Sequence, residues 1–172
     1  GKGVIDENHP MCLSAAALSK DDFVHCAIDR ADLIINVGHD VIEKPPFFMS
    51  NKEGATKVMH VNFFPSEVDD TYFPQMDVVG DIASNIAKIT EKIKVQAHWD
   101  FDYYTRMAEE IRTRLSKYFG DNRFPILPQR AVRAIRKTLA AEDIVTLDNG
   151  VYKLWFARNY RCAKPNTLLL DN

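Results

Sequence analysis

A short polar sequence between two apolar segments is the part of this chain best suited to bind a charged ligand. Asp148-Asn149-Gly150 separates the run 144–147 from the segment 151–160. A helix that begins directly after a strand presents unpaired N–H groups and a positive dipole end, and together these bind phosphate. The same tripeptide is also typical of an ordinary turn or a hairpin, so the local pattern leaves both interpretations open.

The residues on either side predict a strand, a tight turn and a helix. The run 144–147 is β-branched and apolar, as in a strand buried on both faces. After Gly150, four residues recur at three- and four-residue steps and would share one helix face. They are Val151, Leu154, Trp155 and Arg158. In open α/β sheets this kind of junction is where ligands bind.

Two other polar sequences follow predicted strands. His39 and Asp40 come after a strand at 33–37 and Gly38, where they could serve a site at the edge of a sheet. Adjacent His and Asp in a loop are more often plain surface. Gly80-Asp81 resembles a metal or phosphate motif, but its place before an amphipathic helix favours N-capping by Asp81.

Strands and helices alternate through the first 95 residues. Buried strands are predicted at 33–37, 57–64 and 77–80 and helices at 22–30 and 82–94, the last with Ile82, Ile86, Ile89 and Ile93 on one face. Asp21 or Asp22 would cap the first helix, with Phe23 and Ala27 inward. This alternation predicts an α/β fold with a parallel sheet and flanking helices.

The second half begins with a long helix. Residues 96–120 carry an aromatic and aliphatic stripe and end at Gly120, which we interpret as a connector that packs between domains. A helix at 129–140 follows and would place Arg130, Arg133, Arg136 and Lys137 outward. Without an aromatic platform beside it, that basic stripe is interpreted as a solvated face. A final strand is predicted at 167–170.

Composition restricts the protein class. The 172 residues are 46% hydrophobic and 27% charged, as in soluble globular proteins, and suggest two domains. The net charge of -2 gives no reason to expect a nucleic acid or membrane partner. No apolar run approaches a membrane span and no leader is recognised, which predicts a cytoplasmic protein. Cys12, Cys26 and Cys162 lack metal spacing, so reduced, buried thiols are expected.

The order of the sequence pieces resembles the large subunit of acetolactate synthase, in the thiamine-diphosphate-dependent enzyme superfamily. The resemblance extends over nearly the whole chain. The segments that carry it are GKGVIDENHP, ADLIINVGHD, KVMHVNFFPSEV, DVVGD, PQRAVRAIRKTLAAEDIVTLDNGVYKLWFARNY and NTLLLDN. The resemblance implies that 1–95 are a central Rossmann-like domain without its first strand. It implies a connector helix at 96–120 and the start of the diphosphate-binding domain at 121–172.

The resemblance also implies a cofactor loop. The matching residues are Asn149, Gly150, Val151 and Tyr152, which would contact the diphosphate and thiamine ring. Many synthases carry Gln and His where Val151 and Tyr152 stand, so backbone contacts are expected and side-chain contacts to phosphate are in doubt. The family's catalytic glutamate and its Mg2+ ligands belong to parts outside these residues, so no catalytic or metal residue is assigned here.

The activity implied is that of a carboligase. The parent protein would decarboxylate pyruvate and condense the two-carbon unit with a second 2-keto acid, using thiamine diphosphate and Mg2+, as a dimer or tetramer. The fragment alone is expected to be inactive. His39 and Asp40 replace the Arg-containing FAD loop of biosynthetic synthases, which leaves FAD binding doubtful. The alternatives are a non-catalytic Rossmann-like nucleotide-binding or scaffold module, and another thiamine-diphosphate-dependent decarboxylase or carboligase.

Overall fold

The computed structural model describes residues 1–16, 18, 22–39, 56–68 and 72–170. They form two compact units, one comprising His25–Trp99 and the other Gly1–Val24 with Asp100–Asn172. The predicted domain boundaries at 95 and 120 stay a prediction. Asp40 and Asp21 lie outside the described residues.

A three-stranded parallel sheet forms the centre of the His25–Trp99 unit. The strands are β1 (Leu33–Val37), β2 (Lys57–Asn62) and β3 (Met76–Val79), in the order β1-β2-β3. Helix α1 (Phe23–Ile28) precedes β1, and α2 (Ile82–Lys92) follows β3 and contacts β2. The α/β fold with a parallel sheet and flanking helices is confirmed.

The sheet is less buried than predicted. Leu33, Ile35 and Val37 are all exposed, so β1 is buried on one face at most. Ile34, on the opposite face of β1, packs on the buried pair Val58 and Tyr72, whereas the face with Leu33, Ile35 and Val37 stays exposed among the described residues. The prediction that 33–37 is a buried strand is therefore wrong.

Local signals set the ends of these elements as predicted. Gly38 follows β1 with φ 63°, a left-handed conformation that glycine adopts without strain. Asp81 caps α2, because its Oδ1 accepts the Ser84 N–H at 2.8 Å. That hydrogen bond holds the pKa of Asp81 below its usual range. Asp81 is a capping residue, as the sequence indicated.

The other unit contains a parallel β-α-β arrangement. Its elements are α3 (Asp102–Ser116), α4 (Pro128–Thr138), β4 (Val145–Leu147), α5 (Tyr152–Asn159) and β5 (Leu168–Leu170). β4 pairs in parallel with β5, and α4 packs on α5. The core is formed by Val132, Phe156, Tyr160, Cys162 and Leu168. Ala108 and Ile111 are buried, which confirms the inward face predicted for α3.

Residues 1–16 form no regular element, yet they are tied to the segment that leads into β5. Lys2 and Glu7 form a largely buried ion pair of 2.8 Å. Glu7 also accepts the Cys162 N–H at 2.9 Å. The three cysteines are free, but only Cys162 is buried and Cys26 is exposed, so the expectation of three buried thiols is wrong.

No helix within the described ranges is both long enough and apolar enough to cross a lipid bilayer.

Candidate functional site

The junction between β4 and α5 is a strand, a turn and a helix. β4 ends at Leu147, and Val151 already has helical angles of φ -58° and ψ -25° where α5 begins. A hairpin is excluded, because the strand that pairs with β4 is β5, which is parallel and follows α5. Unlike the expected strand buried on both faces, β4 is only partly covered, since this sheet has two strands.

The turn is held by its own residues. The Asp148 carboxylate accepts the Asn149 N–H at 2.6 Å. A Cβ on Gly150 would lie 2.4 Å from the Tyr152 ring, so glycine is the residue that lets this ring fold back over the turn. The Gly150 carbonyl accepts the Lys153 N–H at 3.0 Å, which starts the helix with a tight turn.

Three backbone donors remain available at this turn. Among the described residues, no acceptor is found for the N–H groups of Gly150, Val151 and Tyr152. No side chain caps α5, and Val151 is 71% exposed. Unpaired amides at the positive end of a helix dipole bind anions, phosphate above all. The turn can therefore hold a diphosphate through its backbone.

The side chains of the turn add little to such a site. Val151 cannot hydrogen-bond, and the Tyr152 hydroxyl is directed to the Asn149 carbonyl at 3.4 Å. Asp148 is exposed and brings a negative charge close to the turn. The four residues predicted as the cofactor loop do lie together, and the fit to a diphosphate rests on amides.

The buried face of α5 is centred on Phe156. Phe156 is 8% exposed and Ala157 and Asn159 are also buried, whereas Leu154 is 45% exposed. Phe156 packs into the core with Tyr160, their ring centroids 5.8 Å apart. Of the four residues predicted to share one helix face, Trp155 packs against this core, whereas Val151 and Leu154 are exposed.

His39 belongs to a polar cluster in the sheet unit. Its ring lies edge-on to Tyr72, with centroids 6.4 Å apart. The Tyr72 hydroxyl contacts His60 Nδ1 at 2.7 Å and accepts a hydrogen bond from Asn36 at 2.9 Å. Burial raises the pKa of Tyr72. Sequence reasoning missed this cluster; its available signal was a histidine, His60, inside an apolar strand.

The basic stripe of α4 is the predicted solvated face only at Arg133 and Lys137, which are exposed. Arg136 donates to the Tyr160 hydroxyl and the Leu139 carbonyl, each at 2.7 Å, and to the Ala140 carbonyl. Arg130 donates to the Asp121 carbonyl at 2.6 Å. These guanidinium groups donate to backbone carbonyls outside α4. Helical periodicity in the sequence does not reveal such contacts. The prediction is wrong for these two residues.

Side chains that bind metals do not cluster in the part of the chain that the structure describes. Within it, no three His, Cys, Asp or Glu residues are close enough to hold an ion.

Comparison with known proteins finds one family model and several relatives that are similar to this chain. The family model described as the thiamine pyrophosphate enzyme central domain matches residues 1–89. The catabolic acetolactate synthase of Raoultella terrigena is 24% identical over 95% of this chain and 32% of its own length. The acetolactate synthase of Bacillus subtilis is 26% identical, over 84% of this chain and 26% of its own length.

A probable acetolactate synthase large subunit of Methanocaldococcus jannaschii is 24% identical over 98% of this chain and 30% of its own length. The chain therefore spans about a quarter to a third of these relatives. The family model covers more than half of the 172 residues. This chain accordingly belongs to the thiamine pyrophosphate enzyme family, which it matches in the central domain.

Proposed function

We propose that this chain is part of a thiamine-diphosphate-dependent carboligase that decarboxylates pyruvate and condenses the two-carbon unit with a second 2-keto acid. The observation that carries the proposal is the set of three unpaired amides at the start of α5, at the carboxyl end of β4. Relatives that share most of this chain are acetolactate synthases. Membership of the family supplies the cofactor class.

The proposed cofactor loop is Asn149, Gly150, Val151 and Tyr152. The N–H groups of the last three would donate to diphosphate oxygens, and the α5 dipole would add to the attraction. Bound thiamine diphosphate supplies an electron sink for the carbanion left by decarboxylation. The exposed Val151 side chain would exclude water beside it. Mg2+ would be held by other parts of the parent protein.

The proposal includes no flavin, since His39 follows β1 and Gly38 where an arginine-containing loop would be needed. The partners proposed are 2-keto acids and further copies of the same protein.

A single amide can be removed to test the loop. Val151 has φ -58°, which proline adopts, and it precedes the first helical residue. Val151→Pro deletes one N–H donor, whereas Val151→Ala removes the side chain and keeps the donor. Loss of a hydrogen bond to a charged group is expected to weaken thiamine diphosphate binding about tenfold or more in Val151→Pro alone. Calorimetric titration of the chain measures this.

Thiamine without its diphosphate is the ligand control, and it should bind weakly to every variant. Equal binding of thiamine diphosphate by Val151→Pro and the unmodified chain would contradict the loop assignment. Preferential binding of ADP that is lost in Val151→Pro would instead assign the loop to a nucleotide-binding module. In the full-length protein, the carboligase proposal requires acetolactate formation from pyruvate, with a lower kcat/KM in Val151→Pro than in Val151→Ala at limiting cofactor.

A further inference from the structure

A cavity of about 480 Å³ lies within the unit that contains α3, α4 and α5. Six of its lining residues are charged, and they come from these helices and from the residues that follow α5. The charged residues are Glu109, Arg112, Arg133, Arg136, Arg158 and Arg161. Five guanidinium groups thus face one carboxylate, and the volume is that of a small-molecule site.

The positive charge is not balanced by the surrounding protein. Arg158 pairs with Asp22 at 2.9 Å. For Arg112, Arg133, Arg136 and Arg161, the described residues provide no carboxylate within ion-pair distance. Arg136 and Arg112 are directed partly to backbone carbonyls, which are neutral. The cavity therefore holds an excess of positive charge.

Arg161 is the clearest sign of this excess. Burial and then the like charge of Arg112, with a smaller effect of Arg133, lower its pKa, and the nearby Glu7 carboxylate only partly opposes this shift. Such a cluster is unfavourable unless an anion shares the space. The fork of a guanidinium group matches phosphate oxygens in a bidentate contact.

Two buried polar atoms of the lining residues also lack partners. Arg112 Nε has no acceptor, and Asn159 Oδ1 has no donor, within the described part of the chain. Asn159 Nδ2 already donates to the Trp155 carbonyl at 2.9 Å, which fixes the amide orientation. A ligand that satisfies both must offer an acceptor and a hydroxyl or amine donor.

We propose that this cavity binds a phosphorylated small molecule of nucleotide size that also carries hydroxyl groups. The Arg112, Arg133 and Arg161 guanidinium groups would contact its phosphates, and Asn159 would accept a hydrogen bond from its hydroxyl or amine group. The site is separate from the loop at 149–152, because it lies at the other end of α5, which is roughly 12 Å long. A cationic cavity of this volume suits a small anion rather than a nucleic acid strand.

Titration of the chain with ATP, and with adenosine at matched ionic strength, tests the site. ATP should bind saturably and raise the melting temperature, whereas adenosine should do neither. Arg161→Gln should lower ATP affinity about tenfold or more, as one charge-assisted contact is lost. Because its charge is unfavourable in the free chain, Arg161→Gln should leave the melting temperature without ATP unchanged or raised. Arg123→Gln, outside the cavity, is the charge control.

A second variant separates this cavity from the proposed cofactor loop. Arg133 is exposed at the cavity and stacks over Phe119, so Arg133→Gln should fold and also weaken ATP binding. Val151→Pro should leave ATP binding at the cavity unchanged. If Val151→Pro abolishes ATP binding while both arginine variants keep it, the anion binds at the loop and the cavity proposal is overturned. Absence of saturable ATP binding also overturns it.

Discussion

Gly3 shows how one residue of the N-terminal segment is fixed by a distant part of the sequence. Its φ is +80°, and a Cβ there would lie 2.3 Å from the Lys164 carbonyl oxygen and 2.8 Å from Cys162 Cβ. Glycine is thus required at this position for two reasons: the left-handed backbone conformation, and the close approach of Lys164 and Cys162. The ion pair of Lys2 with Glu7 and the Glu7–Cys162 contact flank this approach.

Gly3→Ala is expected to destabilise the chain. The left-handed conformation alone costs an alanine about 1–2 kcal/mol, and the contact with the Lys164 carbonyl adds to that. Gly1→Ala is the matched control, because nothing lies within 4 Å of a Cβ there. Urea unfolding followed by circular dichroism measures both. Equal stabilities for the two variants would show that residues 1–7 do not pack on 162–164 in solution.

The residues that sequence reasoning identified correctly depend on near neighbours. Capping of α2 by Asp81 can be predicted because the Asp81 carboxylate and the Ser84 N–H that donates to it are only three residues apart. The interactions that were missed join distant positions: Arg136 with Tyr160 is 24 residues apart, and Asn36 with Tyr72 is 36. Neither pair leaves a periodic pattern in the sequence, so only the structure reveals these two contacts.

At the scale of elements, α5 shows why a helix can be predicted from the sequence while its core face cannot. The helix has eight residues, about two turns, and apolar side chains lie on more than one of its faces. Over only two turns, hydrophobic periodicity cannot show whether Leu154 or Phe156 faces the core. Packing decides the matter, because Phe156 joins Val132, Tyr160 and Leu168 in one cluster. The same holds for strands. The position of β1 agrees with the prediction, but the exposure of its side chains depends on which elements lie beside it.

Two truncations on α5 measure which face supports the unit. Phe156→Ala should lower the free energy of unfolding by about 3–5 kcal/mol, because it leaves a cavity in the core. Leu154→Ala on the same helix should lower it by about 1 kcal/mol or less, since that side chain is already half exposed. Chemical denaturation of both variants provides the comparison. A larger loss in Leu154→Ala would show that the face carrying Leu154, and not Phe156, supports the unit.

At the scale of the whole molecule, the described residues form two hydrophobic cores that share no residue. One is built from Val132, Phe156, Tyr160, Cys162 and Leu168. The other is built from Val58 and Tyr72 with Ile34. The first 24 residues belong to the unit of the first core, although they precede every strand of the other unit. Composition alone suggested two parts, but this non-contiguous division depends on the distant contacts of residues 1–16.

Separate cores predict separate opening of the two units. In Phe156→Ala, amide hydrogen exchange should accelerate in β4, α5 and β5, whereas the amides of Val58 and Val61 in β2 should keep their protection. Val58→Ala should produce the reverse pattern. Hydrogen exchange resolved by residue, under conditions where both variants remain folded, measures the two effects. If either variant accelerates exchange equally in both units, the cores unfold as one cooperative body and the division into two units has no energetic counterpart.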